Sequence, residues 1–144
     1  MKIKIFLISL LVLMAFSLTE LKAQTVLGKW KTKNDEGRVN SIIEIYKEGD
    51  QVFGKVVRIT KEEDRDRVCT RCDGELKDQP IEGLVLMRGF EKEGEKYVDG
   101  TITDPKTGKE YDSKIWLSED DPDKLMVRGY IAFFYKTKVW ERLK

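Results

Sequence analysis

Two cysteines three positions apart, Cys69 and Cys72, are the side chains of this sequence best suited to chemistry. A Cys-x-x-Cys pair can be a redox dithiol, part of a zinc site or a short disulfide. Redox work needs a thiolate stabilised by a helix N-terminus or a neighbouring cation. The flanks, Lys61 to Arg67 and Asp73-Gly74, read instead as loop. A structural zinc ion needs four ligands, and only two thiols, with Asp66 and Asp73 as oxygen partners, are at hand. A disulfide in an oxidising compartment needs only the pair, and it is the expectation here. Its ring is short, so loop entropy predicts local pinning of a peripheral loop and little global stabilisation.

No other constellation competes with it. The sequence has no histidine, which removes the commonest general base and zinc ligand together with Ser-His and Cys-His nucleophiles. A carboxylate hydrolase needs two converging acids, and Glu44, Asp99 and Asp112 show no such spacing. Asp104-Pro105-Lys106-Thr107-Gly108-Lys109 has the composition of a turn, with Pro fixing φ and Gly supplying a positive one. Glu119, Asp120, Asp121 and Asp123 read as a solvated loop, with calcium as the alternative. Met87-Arg88-Gly89-Phe90 and Val127-Arg128-Gly129-Tyr130 echo one another. Either arginine could fork an anion at the rim of a barrel, or pair with acids on its outer face. No catalytic residue, metal site or cofactor is expected.

The elements that would position these groups are short strands. Before them, Lys2 and Lys4 precede a nearly apolar run, Ile5 to Leu18, and a small residue at Ala23. That is a signal-peptide pattern over residues 1–23, too short to span a bilayer comfortably. It predicts export to the periplasm or beyond, with no stable membrane anchor after cleavage. Its removal leaves 27 minus 3 basic and 26 minus 1 acidic residues, a net charge of −1. A nucleic-acid binder would carry a basic excess on one stripe, so nucleic acid is not an expected partner. Residues 24–144 suffice for one domain with one core.

Turn signals break that domain every 8 to 12 residues, the spacing of a sandwich or barrel. They predict strands at 26–32, 39–47, 52–60, 83–91, 96–103, 109–118, 124–131 and 133–143, with one long Cys-containing loop over 61–80. No long helix is expected. Alternation turns Tyr111, Ser113, Ile115 and Leu117 inward, with Leu125, Val127 and Gly129 beside them. The first strand carries Gly28-Lys29-Trp30 and the last Trp140-Glu141-Arg142. A small barrel needs such a pair at its seam: the Trp30 ring plugs the closed end, and the Arg142 guanidinium on its face adds about 0.5–2 kcal/mol. The predicted fold is all-β, a single antiparallel up-and-down barrel of about eight strands, lipocalin-like.

Matching segments run along the whole domain. They are Gly28-Lys29-Trp30, Gly54-Lys55-Val56-Val57, Cys69-Thr70-Arg71-Cys72-Asp73-Gly74, Gly83-Leu84, Gly100-Thr101-Ile102-Thr103-Asp104-Pro105, Gly108-Lys109-Glu110-Tyr111, Leu125 to Tyr130 and Trp140-Glu141-Arg142. With these the chain resembles a family of secreted bacterial proteins known only as domain of unknown function 2147. The resemblance implies the same barrel class and an exported address, and it transfers no activity.

The leading functional expectation is a non-enzymatic exported barrel that binds a small apolar or amphipathic molecule, by analogy of fold. Ile43, Tyr111, Ile115 and Val127 would form its apolar wall. Arg128 or Arg88 would be its polar anchor, supported by Tyr130 or Tyr97, and Arg128 would need a bend at Gly129 to reach the rim. The alternative is a cell-envelope interaction module with a filled core and a protein partner. A roomy apolar lumen would favour the first, a close-packed one the second.

Overall fold

The computed structural model describes residues 24–144, so the expected signal peptide at 1–23 lies outside the described residues. Eight strands follow in order: β1 (Gly28–Lys33), β2 (Val39–Glu48), β3 (Gln51–Ile59), β4 (Val85–Glu93), β5 (Lys96–Thr103), β6 (Glu110–Leu117), β7 (Lys124–Ile131) and β8 (Phe134–Arg142). Each pairs antiparallel with its sequence neighbour, and β8 returns to β1 to close the barrel. The seam pairs Trp30 with Arg142 and Lys31 with Glu141. This pairing covers the ends of β1 and β8 that an open sheet would leave as edges.

The strand boundaries fall close to those expected, with one difference at the start. Val26 is buried ahead of β1 rather than in it. Its carbonyl accepts a 2.8 Å hydrogen bond from the Trp30 indole, so the segment before the strand lids the closed end instead of extending the ladder.

The interior is filled around the closed end. Trp30, Phe90, Ile115 and Leu125 are 0% exposed, so no space for a water molecule adjoins them. Two glycines make room for the largest of these packings. A Cβ on Gly100 would lie 2.4 Å from the Phe90 ring, and one on Gly54 would lie 2.7 Å from the Met87 sulfur. Small positions opposite large ones close the barrel to interior density.

The long loop between β3 and β4 differs from the peripheral segment expected. Cys69 and Cys72 are disulfide-bonded, and both half-cystines belong to the buried core. Leu76 and Ile81 pack beside them. The loop contains two single 3-10 turns, Glu62–Asp64 and Gly74–Leu76, and an isolated bridge between Val68 and Pro80. Backbone hydrogen bonds tie it down, from Cys69 N to Gln79 O at 2.8 Å and from Ile81 N to Arg67 O at 3.0 Å. It crosses the open end of the barrel as a plug. The β5–β6 turn meets it so closely that a Cβ on Gly108 would lie 1.7 Å from the Arg71 carbonyl oxygen.

Candidate functional site

Three places hold concentrated polar or aromatic side chains: the closed end, a cleft at the open end, and the outer face of β6, β7 and β8.

At the closed end the Arg142 Cζ sits 4.3 Å from the Trp30 ring centroid. Its nitrogens donate to Asp123 Oδ1 (3.2 Å), to the Leu27 carbonyl (3.3 Å), and to the Thr25 and Pro122 carbonyls (2.9 and 3.1 Å). One guanidinium fork therefore stitches the N-terminal segment, the β6–β7 loop and the seam. All three nitrogens are engaged in structural contacts. The Asp121–Asp123 pair is occupied in the same way. Asp121 Oδ1 accepts from Asp123 N, and Asp123 pairs with Arg142 and Lys144.

The hydrogen bond from Lys144, with the charges of Lys144 and Arg142, holds the Asp123 carboxyl below its ordinary value. A depressed folded value means that the stabilisation is present above the unfolded value and is lost as pH falls through the folded one. The expected result is a fall in thermal midpoint below the ordinary carboxylate range. That fall is smaller in Asp123→Asn, by scanning calorimetry between pH 6 and pH 2. An equal fall in both proteins would show that Asp123 is not linked to folding.

At the open end a cleft of about 630 Å³ lies between the disulfide loop, the β5–β6 turn and the β7–β8 hairpin. Arg71, Lys109, Glu110, Tyr111, Asp112 and Tyr130 line it. Among the described residues, no three Cys, Asp or Glu side chains gather to hold a metal ion.

On the outer face, cross-strand register assembles a cation–aromatic layer. Lys114 pairs with Arg128, and Arg128 with Thr137. Trp116 lies two residues further along β6, and Tyr130 pairs with Tyr135. The Arg128 guanidinium lies 4.1 Å from the Tyr135 centroid and 5.0 Å from that of Trp116. Its Nε donates to Thr137 Oγ1 at 2.8 Å. Lys114 Nζ is 5.6 Å from Trp116 and 5.8 Å from Tyr130. Beyond this layer the hairpin ends in a run of apolar side chains: Ile131 is 58% exposed, Phe133 99%, Phe134 78% and Tyr135 61%. Ile131 pairs with Phe134, so the loop has two residues, Ala132 and Phe133. Ala132 has a φ of 50°. Tight hairpins of this length ordinarily use Asn or Gly there, and a left-handed alanine costs about 1–2 kcal/mol.

The structure thus divides the residues expected to form a ligand site. Ile43, Ile115 and Val127 are buried in the core rather than lining an open lumen. Tyr97 packs against that core, and Tyr111 reaches the cleft. Arg128 stays on the outer face, because Gly129 remains in register with Ser113 and Lys136 and supplies no bend. Tyr130 is on the same face and lines the cleft. In the echoing motif Gly89 does take a φ of 71°, and Arg88 folds back so that its Nε donates to the Val85 carbonyl at 3.3 Å. Neither arginine forms an ion pair with an acid among the described residues, so both depart from the alternative reading as well. Lys114, Trp116, Phe133, Phe134 and Tyr135 were not among the residues expected from sequence. The signal available was the unbroken run Ile131-Ala132-Phe133-Phe134-Tyr135 where a polar turn belongs.

An up-and-down barrel of eight strands, closed between β1 and β8 and capped by Trp30 under Arg142, defines a lipocalin-like protein. The chain matches the bacterial family described as "Uncharacterized protein conserved in bacteria (DUF2147)" over residues 28–142, and it belongs to that family. No curated protein sequence matches it. Among solved structures it is similar to protein HP1028 from the human pathogen Helicobacter pylori, described as belonging to the lipocalin family. The TM-score is 0.72, with 15% identity over 85% of each chain. At that identity the likeness concerns the fold alone.

Proposed function

We propose that this protein is a non-enzymatic interaction module of the bacterial cell envelope, exported by its N-terminal segment, that works with the outside of its barrel. The observation that carries this reading is the pairing of an interior packed around its closed end with the exposed hairpin Ile131–Tyr135. Isolated exposed apolar residues are ordinary, but a contiguous exposed aromatic group marks a contact surface. The absence of histidine, which removes the commonest general base, supports a binding role over catalysis.

A second reading, binding of a small amphipathic molecule, is favoured by the cleft. Its volume lies within the range of small-molecule sites, and Arg71 and Lys109 could hold an anionic head while Tyr111 covers the tail.

One pair of measurements separates the two. A photo-crosslinking residue at position 133 should give adducts in intact cells, while the same residue at Lys47, on the opposite end, should give none. A fluorescent fatty acid should fail to bind at micromolar concentration. Stoichiometric binding of the probe, weakened by Arg71→Ala or Lys109→Ala, together with no adduct at 133, would establish the second reading instead.

A further inference from the structure

We infer that the β7–β8 hairpin docks reversibly on an anionic lipid surface. This rests on the interaction-module reading and names its partner.

The order of side chains along the hairpin carries the inference. Ile131, Phe133 and Phe134 stand at the tip and are mostly exposed. Behind them come Tyr130 and Tyr135, with ring centroids 6.2 Å apart. Four cations follow, Lys114 and Arg128 on the outer face and Lys136 and Lys138, paired with Gly129 and Val127, on the other face of the hairpin. A bilayer presents the same sequence of environments, from acyl chains through the interfacial belt favoured by Tyr and Trp to the headgroup phosphates. Strand rise of about 3.3 Å per residue puts Lys136 roughly 10 Å behind Phe133, and Arg128, opposite Thr137, roughly 13 Å behind. An apolar face buried about 5–10 Å below the boundary would bring these cations to the phosphates.

Charge selects the lipid. From Ile131 to Lys138 there is no acidic residue. Lys114, Arg128, Lys136 and Lys138 form no ion pair among the described residues, although eight such pairs occur elsewhere, among them Lys33–Glu141 and Arg142–Asp123. The acids of β6 nearest the hairpin, Glu110 and Asp112, line the cleft beside Tyr130 and Ile131, and neither pairs with these cations. Lys114 and Arg128 are held instead on aromatic faces, which orient a cation without neutralising it. Because residues 24–144 carry a net charge of −1, attraction to an anionic surface is local to this hairpin and orients the molecule. A protein partner would need a matching socket, whereas a lipid surface needs only this gradient of apolar, aromatic and basic groups.

The test uses protein purified in the form the cell leaves it, with its N-terminus read by mass spectrometry. Flotation is measured with vesicles of phosphatidylcholine alone and with 30% phosphatidylglycerol added. The expected result is at least tenfold stronger partition onto the anionic vesicles. Lys136→Gln and Lys138→Gln should each weaken it by about fivefold, and Phe133→Ser with Phe134→Ser should abolish it, with the circular dichroism melt unchanged. Absence of partition by the wild type, or partition untouched by the phenylalanine changes, would overturn the inference. Crosslinks from position 133 to a protein or to a second copy, with no vesicle binding, would overturn the lipid partner and leave the interaction module standing. Failure of both vesicles and crosslinks would sink both.

Discussion

Replacing Trp30 by Ala should lower the stability of the barrel by about 3–5 kcal/mol, the range for deleting a buried aromatic side chain. Trp30 is 0% exposed, and three features raise its cost toward the upper end. Its indole N–H donates to the Val26 carbonyl, which would be left without that partner. Its ring carries the Arg142 guanidinium. Its backbone lies at the seam, opposite Arg142, so the cavity opens where the barrel closes. Urea denaturation followed by far-UV circular dichroism measures the change. Arg142→Ala should cost less, because the ring stays buried while the cation–π contact and the fork to Asp123 and three carbonyls are lost. A loss below about 1 kcal/mol for Trp30→Ala would mean that the closed end is not part of the cooperative unit.

The double change Cys69→Ser with Cys72→Ser should be the next most damaging. Closing a four-residue ring is worth about 2 kcal/mol in the loop-entropy account. Burying a new hydroxyl without a partner adds about 1–3 kcal/mol, in full at position 72 and less at 69, where the Pro105 carbonyl lies 3.7 Å from the sulfur. The second contribution dominates, and it follows from position: both sulfurs lie in the core, under the plug at the open end. The pair Cys69→Ala with Cys72→Ala should therefore recover about half of the loss, since it removes the ring without burying hydroxyls. Hydrogen exchange should locate the damage at the open end, with the amides of Cys69 and Ile81 exchanging faster than those of β1. Two serine substitutions that cost no more than the two alanines would show that the sulfurs are wetter than the structure has them.

Much of this molecule was legible in local signals. Alternation in Tyr111-Asp112-Ser113-Lys114-Ile115 assigns faces with no knowledge of neighbours, because successive side chains of a strand point to opposite sides. Asp104-Pro105 with Gly108, or Glu48-Gly49-Asp50, marks a turn through the φ values those residues accept. Eight strands joined by short turns can lose their edges only by closing. The Trp30–Arg142 pair was readable for that reason, since once the first and last strands must be neighbours the residues at their ends must meet.

The sequence by itself thus determined the class of fold, the order of strands, the faces of β6 and β7, the cysteine pairing and the closed end. These rest on short-range sterics and period-two patterning. The tertiary structure alone decided whether the barrel is hollow and where its functional surface lies. Filling depends on volumes that meet from distant positions, such as Phe90 over Gly100 and Met87 over Gly54, and no local rule sums them. The role of the long loop was decided in the same way: its cysteines read as peripheral in sequence and are core in space. Arg128 shows the third case. Its outward face was legible, but its partners Trp116 and Tyr135 come from two other strands, and only the register of β6, β7 and β8 brings them onto one cation.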